Sequence, residues 1–454
     1  MKQFSKLLSL LLIVVLIAGC FTACGEPEEP PTPEVPEFVD YASEVKLDLS
    51  SSRARCEVTV KAFIDGDTTH FYVPTSIYET GILKARYLGV NTPESTGQIE
   101  PWGHKASDFT KSKLSEATSI IVESDTATWN PDSTGERFLV WVWYKTAEMT
   151  DYKCLNLEIL QEGLARASKS SDTVYSEVCT KILNQAVTQQ LNVFSKDKDP
   201  DFYYGAALPI TLKELKTNIE AYKDKSVSFE GVVAQSEGSQ IYVEEFDEET
   251  GLYFGIQVYY GYNLGVFGEE ILTVGNRVRI VGSVQYYEEG QTYQVSDIYY
   301  NPMRPDDEKN IQLIEENHTA AYQKLDAKNL LDGKVSIEIT TTDDEGEETI
   351  ETKTLDVGFL TMHATASLEN LTITDLYTTK DGSSKGAISI TCVTEDGTEI
   401  VVRTIVLKDA SGNTVKQDKF KIGDVINVRG VVDYYNGKYQ LKLFSMYDVE
   451  FVND

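Results

Sequence analysis

Histidine and cysteine are scarce in this chain, four and six among 454 residues. Cys20 and Cys24 fall near the start, and Cys56, Cys154, Cys179 and Cys392 are scattered too widely for any zinc-binding spacing. A His/Cys metal cluster is therefore not expected, and any metal chemistry would use oxygen donors. The four later cysteines allow three pairings, and both one disulfide and free thiols stay open. Basic residues are in deficit too, 41 Lys and Arg against 72 Asp and Glu, for a formal charge of −31. That balance argues against a broad electrostatic clamp on nucleic acid, but leaves room for a small local site. Most of the acidity falls outside residues 54–198.

The apolar run at residues 7–19 is too short to span a membrane and suits an export signal. It follows a basic start and ends in Ile17-Ala18-Gly19-Cys20, which resembles the lipobox of bacterial lipoproteins. The resemblance implies a signal peptide over residues 1–24, with Cys20 as the lipidated residue and Cys24 as a second candidate. An uncleaved N-terminal anchor is the alternative. Either places the chain at the cell membrane, on its extracytoplasmic face, as a monomer on a tether. Residues 25–53, rich in Pro and Glu at their start, read as a stiff spacer.

At this length about three domains are expected. Residues 54–198 read as a small β structure followed by helices. Alternating segments at 58–72, 83–90, 120–123 and 138–144 are strand-like, and 107–117, 155–162 and 175–192 are helical. Gly163 stands where a helix should stop. Residues 206–304 and 325–454 form two further β units, the first led by a helix at 212–222. Residues 311–328 read as a helical bridge between them.

The two later units share a repeat. Val274-Gly275-Asn276-Arg277-Val278-Arg279-Ile280-Val281-Gly282 is echoed by Ile422-Gly423-Asp424-Val425-Ile426-Asn427-Val428-Arg429-Gly430. Each continues to a tyrosine pair, Tyr286-Tyr287 and Tyr434-Tyr435, then a hairpin at Glu289-Gly290 or Asn436-Gly437, then a returning strand. A glycine inside a strand suits a barrel corner. The pattern resembles the closing strands of OB-fold barrels, which often bind nucleic acid. The four tyrosines could stack bases, or simply pack.

The chemistry concentrates in the first unit. Asp65-Gly66-Asp67, Arg86, Asn91-Thr92-Pro93-Glu94 and Gly135-Glu136-Arg137 combine hard oxygen donors with two arginines. Phosphodiester hydrolysis needs that combination: a cation to neutralise phosphate oxygens, a carboxylate to orient water, and planar forks for developing charge. Taken singly, each patch is ordinary; Asp-Gly-Asp alone is usually a solvated turn.

Ile64–Thr68, Arg86–Glu94, Trp102–Ser107, Gly135–Leu139, Glu162–Ala165 and Leu191–Ser195 resemble the thermonuclease (staphylococcal nuclease-like) family in order and spacing. The resemblance implies a mainly β fold with α: an OB-like five-stranded barrel plus helices, here followed by two OB-like barrels. It implies a calcium-dependent nuclease leaving 3′-phosphates on DNA or RNA. Asp67, Asn91 and the Thr92 carbonyl would hold Ca2+, with Asp65 behind them. Glu94 would be the general base, Arg86 would hold the phosphate, and Arg137 would stabilise the transition state. A non-catalytic surface binding protein on the same scaffold is the competing expectation. The family often carries Asp where this chain has Asn91. An amide oxygen ligates calcium but brings no charge, so Asn91→Asp should bind calcium more tightly in a titration beside the wild type. Equal affinities would count against Asn91 as a ligand.

Overall fold

The computed structural model describes residues 37–452, apart from 98, 262–263, 289, 343–347 and 410. The apolar run, Cys20, Cys24 and the start of the spacer lie outside the described residues, as does Glu289 of one hairpin. Among the described residues no helix is long and apolar enough to cross a membrane.

The fold is mainly β, with three closed five-stranded barrels and helices packed around them. In the first, β1 (Arg55–Asp65), β2 (Thr68–Tyr72) and β3 (Ile82–Tyr87) form a meander. A short β4 (Gly89–Asn91) follows. Helix α1 (Gly103–Ser115) then crosses to β5 (Ser119–Glu123), which pairs with β1, and β6 (Phe138–Lys145) closes the barrel by pairing in parallel with β3. β6 is buried continuously from Val140 to Tyr144, because it faces the barrel interior on one side and helices on the other. Those helices are α2 (Leu155–Gln161) and α3 (Ser176–Thr188). Gly163 does end α2, in a left-handed conformation at φ +66°.

One buried side chain ties this layer together. Asn156, on α2, accepts from Val142 N at 2.8 Å and donates to Leu88 O at 2.9 Å and Val140 O at 3.0 Å. It thereby fixes the turn between β3 and β4 that carries the chain from Arg86 to Asn91. Between Lys153–Cys154 (β7) and the end of the unit, β8 (Arg166–Ser168) pairs with β4 and sets Asn91 opposite Arg166.

The second barrel repeats the strand order. Leu208–Pro209 (β9) leads, then β10 (Ser226–Glu237), β11 (Gln240–Asp247), β12 (Leu252–Tyr259), β13 (Arg277–Tyr287) and β14 (Thr292–Ser296), with β10 pairing with β13 and β12 in parallel with β14. The third barrel follows the same scheme with strands Thr365–Thr378, Ile388–Val393, Glu399–Thr404, Val425–Tyr435 and Lys438–Leu443. The glycine repeat holds in three dimensions: Gly275 and Gly423 have φ of +94° and +95°. A Cβ at Gly282 or Gly430 would meet a carbonyl of the returning strand at 2.5 or 2.2 Å. The repeat also extends upstream, since each barrel is preceded by a short edge strand and a capped helix, Leu212–Thr217 or Ala327–Asp332. The third unit alone inserts a hairpin, Lys334–Thr342 with Glu348–Asp356, and a helix, Val357–Thr361.

Two expectations fail. Residues 311–328 are not a helical bridge. Gln312–Glu315 pairs with β13, Gln323–Lys324 pairs with the third barrel, and only the last residues enter the helix Ala327–Asp332. These segments complete sheet edges, so tertiary pairing overrides their local pattern. The helix expected at 212–222 breaks at Asn218 into Leu212–Thr217 and Ile219–Tyr222. Among the described residues the four cysteines are free thiols.

Replacing Asn156 by Ala would strand the buried Val142 N–H and take the donor from Leu88 O, while Val140 O would keep only its bond from Leu88 N. The variant should lose about 3 kcal/mol or more of first-barrel stability, read as a lower urea midpoint.

Candidate active site

Two turns build the site. The β1–β2 turn presents Asp65 and Asp67; the turn and strand after β3 present Asn91, Thr92 and Glu94. Helix α1 packs underneath. Thr110 donates to Gly66 O at 2.6 Å, and a Cβ at Gly66 would lie 2.9 Å from Ala106 and Thr92. At the other end of the helix's approach, a Cβ at Gly103 would strike the Glu94 carbonyl at 2.1 Å. Both glycines are required by close approach rather than by backbone angle.

Asp67 is fully buried and links the two turns. One carboxylate oxygen accepts from Thr92 N at 2.9 Å; the other meets the Arg86 guanidinium and the Thr68 hydroxyl. Arg86 also donates to the Asn91 side-chain oxygen. Asp65 is buried alongside, accepting from Gly66 N at 2.8 Å and from the Ser95 hydroxyl at 2.7 Å, with the Glu94 carboxyl beside it. Burial, with Glu94 close by, pushes the Asp65 carboxyl up to about 7 against these hydrogen bonds. Burial likewise lifts Asp67 to about 6, against the pull of Arg86 and the Thr92 N–H.

The structure thus brings Asp65, Asp67, Arg86, Asn91, Thr92 and Glu94 together through direct contacts. Arg137 is different. It precedes β6, whose Leu139 lies beside Arg86 in the sheet, but its guanidinium is held by Asp132 at 2.8 Å. Burial opposes the charge on Asp132, yet hydrogen bonds from Thr134 and Arg137 hold its carboxyl down at about 2. Arg137 is poised at the rim on a hairpin, not joined to the acidic cluster. Sequence reasoning missed Asp132 and Ser95. An acid and a base flanking Gly135 was the available signal for Asp132; nothing local marks Ser95.

Among the described residues no three His, Cys, Asp or Glu side chains converge to hold a metal unaided. A mixed set does fit a hard cation. The Asp67 carboxylate and the Asn91 amide oxygen meet Arg86, Asp65 and Glu94 lie together next to Asp67, and Thr92 Oγ1 is buried without a hydrogen-bond partner beside them. Such an excess of oxygen and negative charge is what calcium takes.

Residues 84–196 match the family model described as Staphylococcal nuclease homologue. This part of the chain is a staphylococcal nuclease-like domain. The match begins within β3, so the β1–β2 turn with Asp65 and Asp67 lies ahead of it and completes the nuclease-like barrel in the fold.

Of the four repeat tyrosines, Tyr286 packs against Tyr293 and Tyr434 against Tyr439, both at 5.1 Å between centroids. Tyr287 and Tyr435 are exposed at the hairpins, and Tyr434 is half-buried.

A folded pKa raised above the unfolded value of about 3.9 gives stability that is full below that value and lost as pH rises through the folded pKa. Calcium-free Asp65→Asn, which cannot ionise at that position, should therefore gain in Tm over wild type as pH rises from about 5 to 8. A Tm difference independent of pH would overturn the buried-acid assignment.

Proposed function

We propose that the chain is a calcium-dependent nuclease hydrolysing phosphodiester bonds of DNA or RNA, tethered by a lipid on Cys20 at the extracytoplasmic face of a bacterial membrane. The nuclease-type scaffold supports the activity, and the lipobox-like sequence supports the tether. The observation that carries the reading is the Asp67–Arg86–Asn91 constellation at two abutting turns, where the buried Asp67 and Asp65 stand beside the exposed Asn91 and Glu94.

Asp67, Asn91 and the Thr92 carbonyl are the ligands for calcium, which when bound supplies charge neutralisation at the phosphate and a place for water. Arg86 has two jobs. Without metal it neutralises Asp67; with substrate its fork turns to the phosphate oxygens. Glu94 is solvent-exposed, so it can reach a water and accept its proton as the water oxygen attacks phosphorus. The bond from phosphorus to the 5′ oxygen breaks, the leaving oxygen takes up a proton from solvent, Glu94 later returns its proton to solvent, and the phosphate stays on the 3′ side. Arg137 would leave Asp132 to meet the charge on the phosphoryl oxygens.

Glu94→Ala and Arg137→Ala should each cut the rate by about 10² or more on single-stranded DNA, on the order of 3 kcal/mol of transition-state stabilisation. EDTA should abolish cleavage, and calcium should restore it. Full activity in both variants would refute the roles given to Glu94 and Arg137, whereas no cleavage by the wild type with calcium would leave only a binding role for this scaffold.

A further inference from the structure

The second barrel is docked on the loop that carries Glu94. That loop runs from Thr92 to the start of α1; Thr92, Ser95 and Ile99 are buried, with Ser95 bonded to Asp65, while Glu94 and Glu100 face solvent. Internally it is closed by Glu94 N to the Glu100 carboxylate at 3.2 Å and by Glu100 N to Glu94 O at 2.9 Å. A further hold comes from across the chain. Gln285, buried on β13, donates its side-chain amide to Gly97 O at 3.1 Å, the middle of the loop. Where the loop enters α1, His104 Nε2 lies 3.2 Å from the Asp224 carboxylate. Two turns further on, Lys111 pairs with Glu288.

The three contacts come from one stiff piece. Asp224 donates its N–H to Val284 O at 2.8 Å, and Val284 returns a bond to Lys225 O at 3.0 Å, so Asp224 is fastened beside Gln285 on the same strand. Glu288 follows directly from β13. His104 and Lys111 are seven residues apart on α1 and share a face. The grip thus spans loop, helix start and helix middle. A surface loop has low local stability, while a general base must be held within a fraction of an ångström.

We propose that Gln285 and Asp224 are positioning residues for Glu94: the second barrel completes the nuclease site by clamping its base-bearing loop. This role rests on the nuclease reading above. It gives the second barrel a function in catalysis that needs no contact with nucleic acid.

The test uses the full-length, calcium-loaded chain with Gln285→Met, which keeps length and removes the donor, and Asp224→Asn, which the left-handed backbone at φ +61° accepts. Expected are a kcat lower by roughly tenfold, KM within about twofold and an unchanged Tm. Amide exchange at Glu94 and Glu100 should quicken by roughly tenfold, with the β6 amides unaffected. Unchanged kcat in both variants overturns the proposal, as does a fall in kcat matched by a fall in Tm. If the wild type does not cut, the nuclease reading fails and exchange decides the clamp alone: faster exchange upholds it, and unchanged exchange sinks it.

Discussion

A buried carboxylate organises the first barrel. Asp67 has no solvent to screen it, so it must be paired, and its partners come from both neighbouring turns. The Thr92 N–H brings in the loop after β4, and Arg86 brings in the end of β3 and, through Asn91, the strand beyond the turn. The same carboxylate that closes the fold locally is the one we propose as a cation ligand. Folding therefore prepares the site, at the cost of holding Asp65 and Asp67 against their preference for protonation.

The strand order of this barrel recurs twice, yet the turn that bears the acids serves another purpose in the second barrel. There the β10–β11 turn begins at Glu237, which pairs with Lys442 of the third barrel and accepts from Tyr242 at 3.1 Å. One topological position carries two buried acids in one copy and adhesion in the next. Fold similarity among the three barrels thus says nothing by itself about shared activity.

The sequence made the parts legible wherever a local rule decides structure. The glycine–tyrosine repeat foretold two barrels, because Gly275 and Gly423 need positive φ and Gly282 and Gly430 face a carbonyl. The hairpin at Asn436-Gly437 follows the two-residue turn rule, with Tyr435 opposite Lys438. The acidic and arginine patches were recognisable by order and spacing. What stayed hidden were pairings between distant segments. Nothing around residues 311–328 announces a sheet edge, since the partner strands decide it. Asp132 as the holder of Arg137, and Gln285 as the holder of Gly97 across 188 positions, emerge only once topology brings them together.

The second barrel can act as a clamp only if it is itself stiff, and its union with the third makes it so. One hydrophobic core runs through both. The third unit lies so close on β12 that a Cβ at Gly255 would fall 2.1 Å from Ala364 N. Polar groups trapped between them are matched. The Glu244 carboxylate accepts from Ala321 N and Thr365 N, His363 accepts from Gln257 N, and the buried Lys216 donates to Met362 O at 3.3 Å. Burial lowers Lys216 to about 7 and holds His363 well below its usual range, so neither carries a secure charge there. A hydrogen-bonded interface of this kind resists sliding, because any shift would leave buried polar groups unpaired. The third barrel thereby stiffens the second, and the second in turn holds Gly97, so the tail of the chain reaches the loop that carries Glu94 through packing and a few polar contacts.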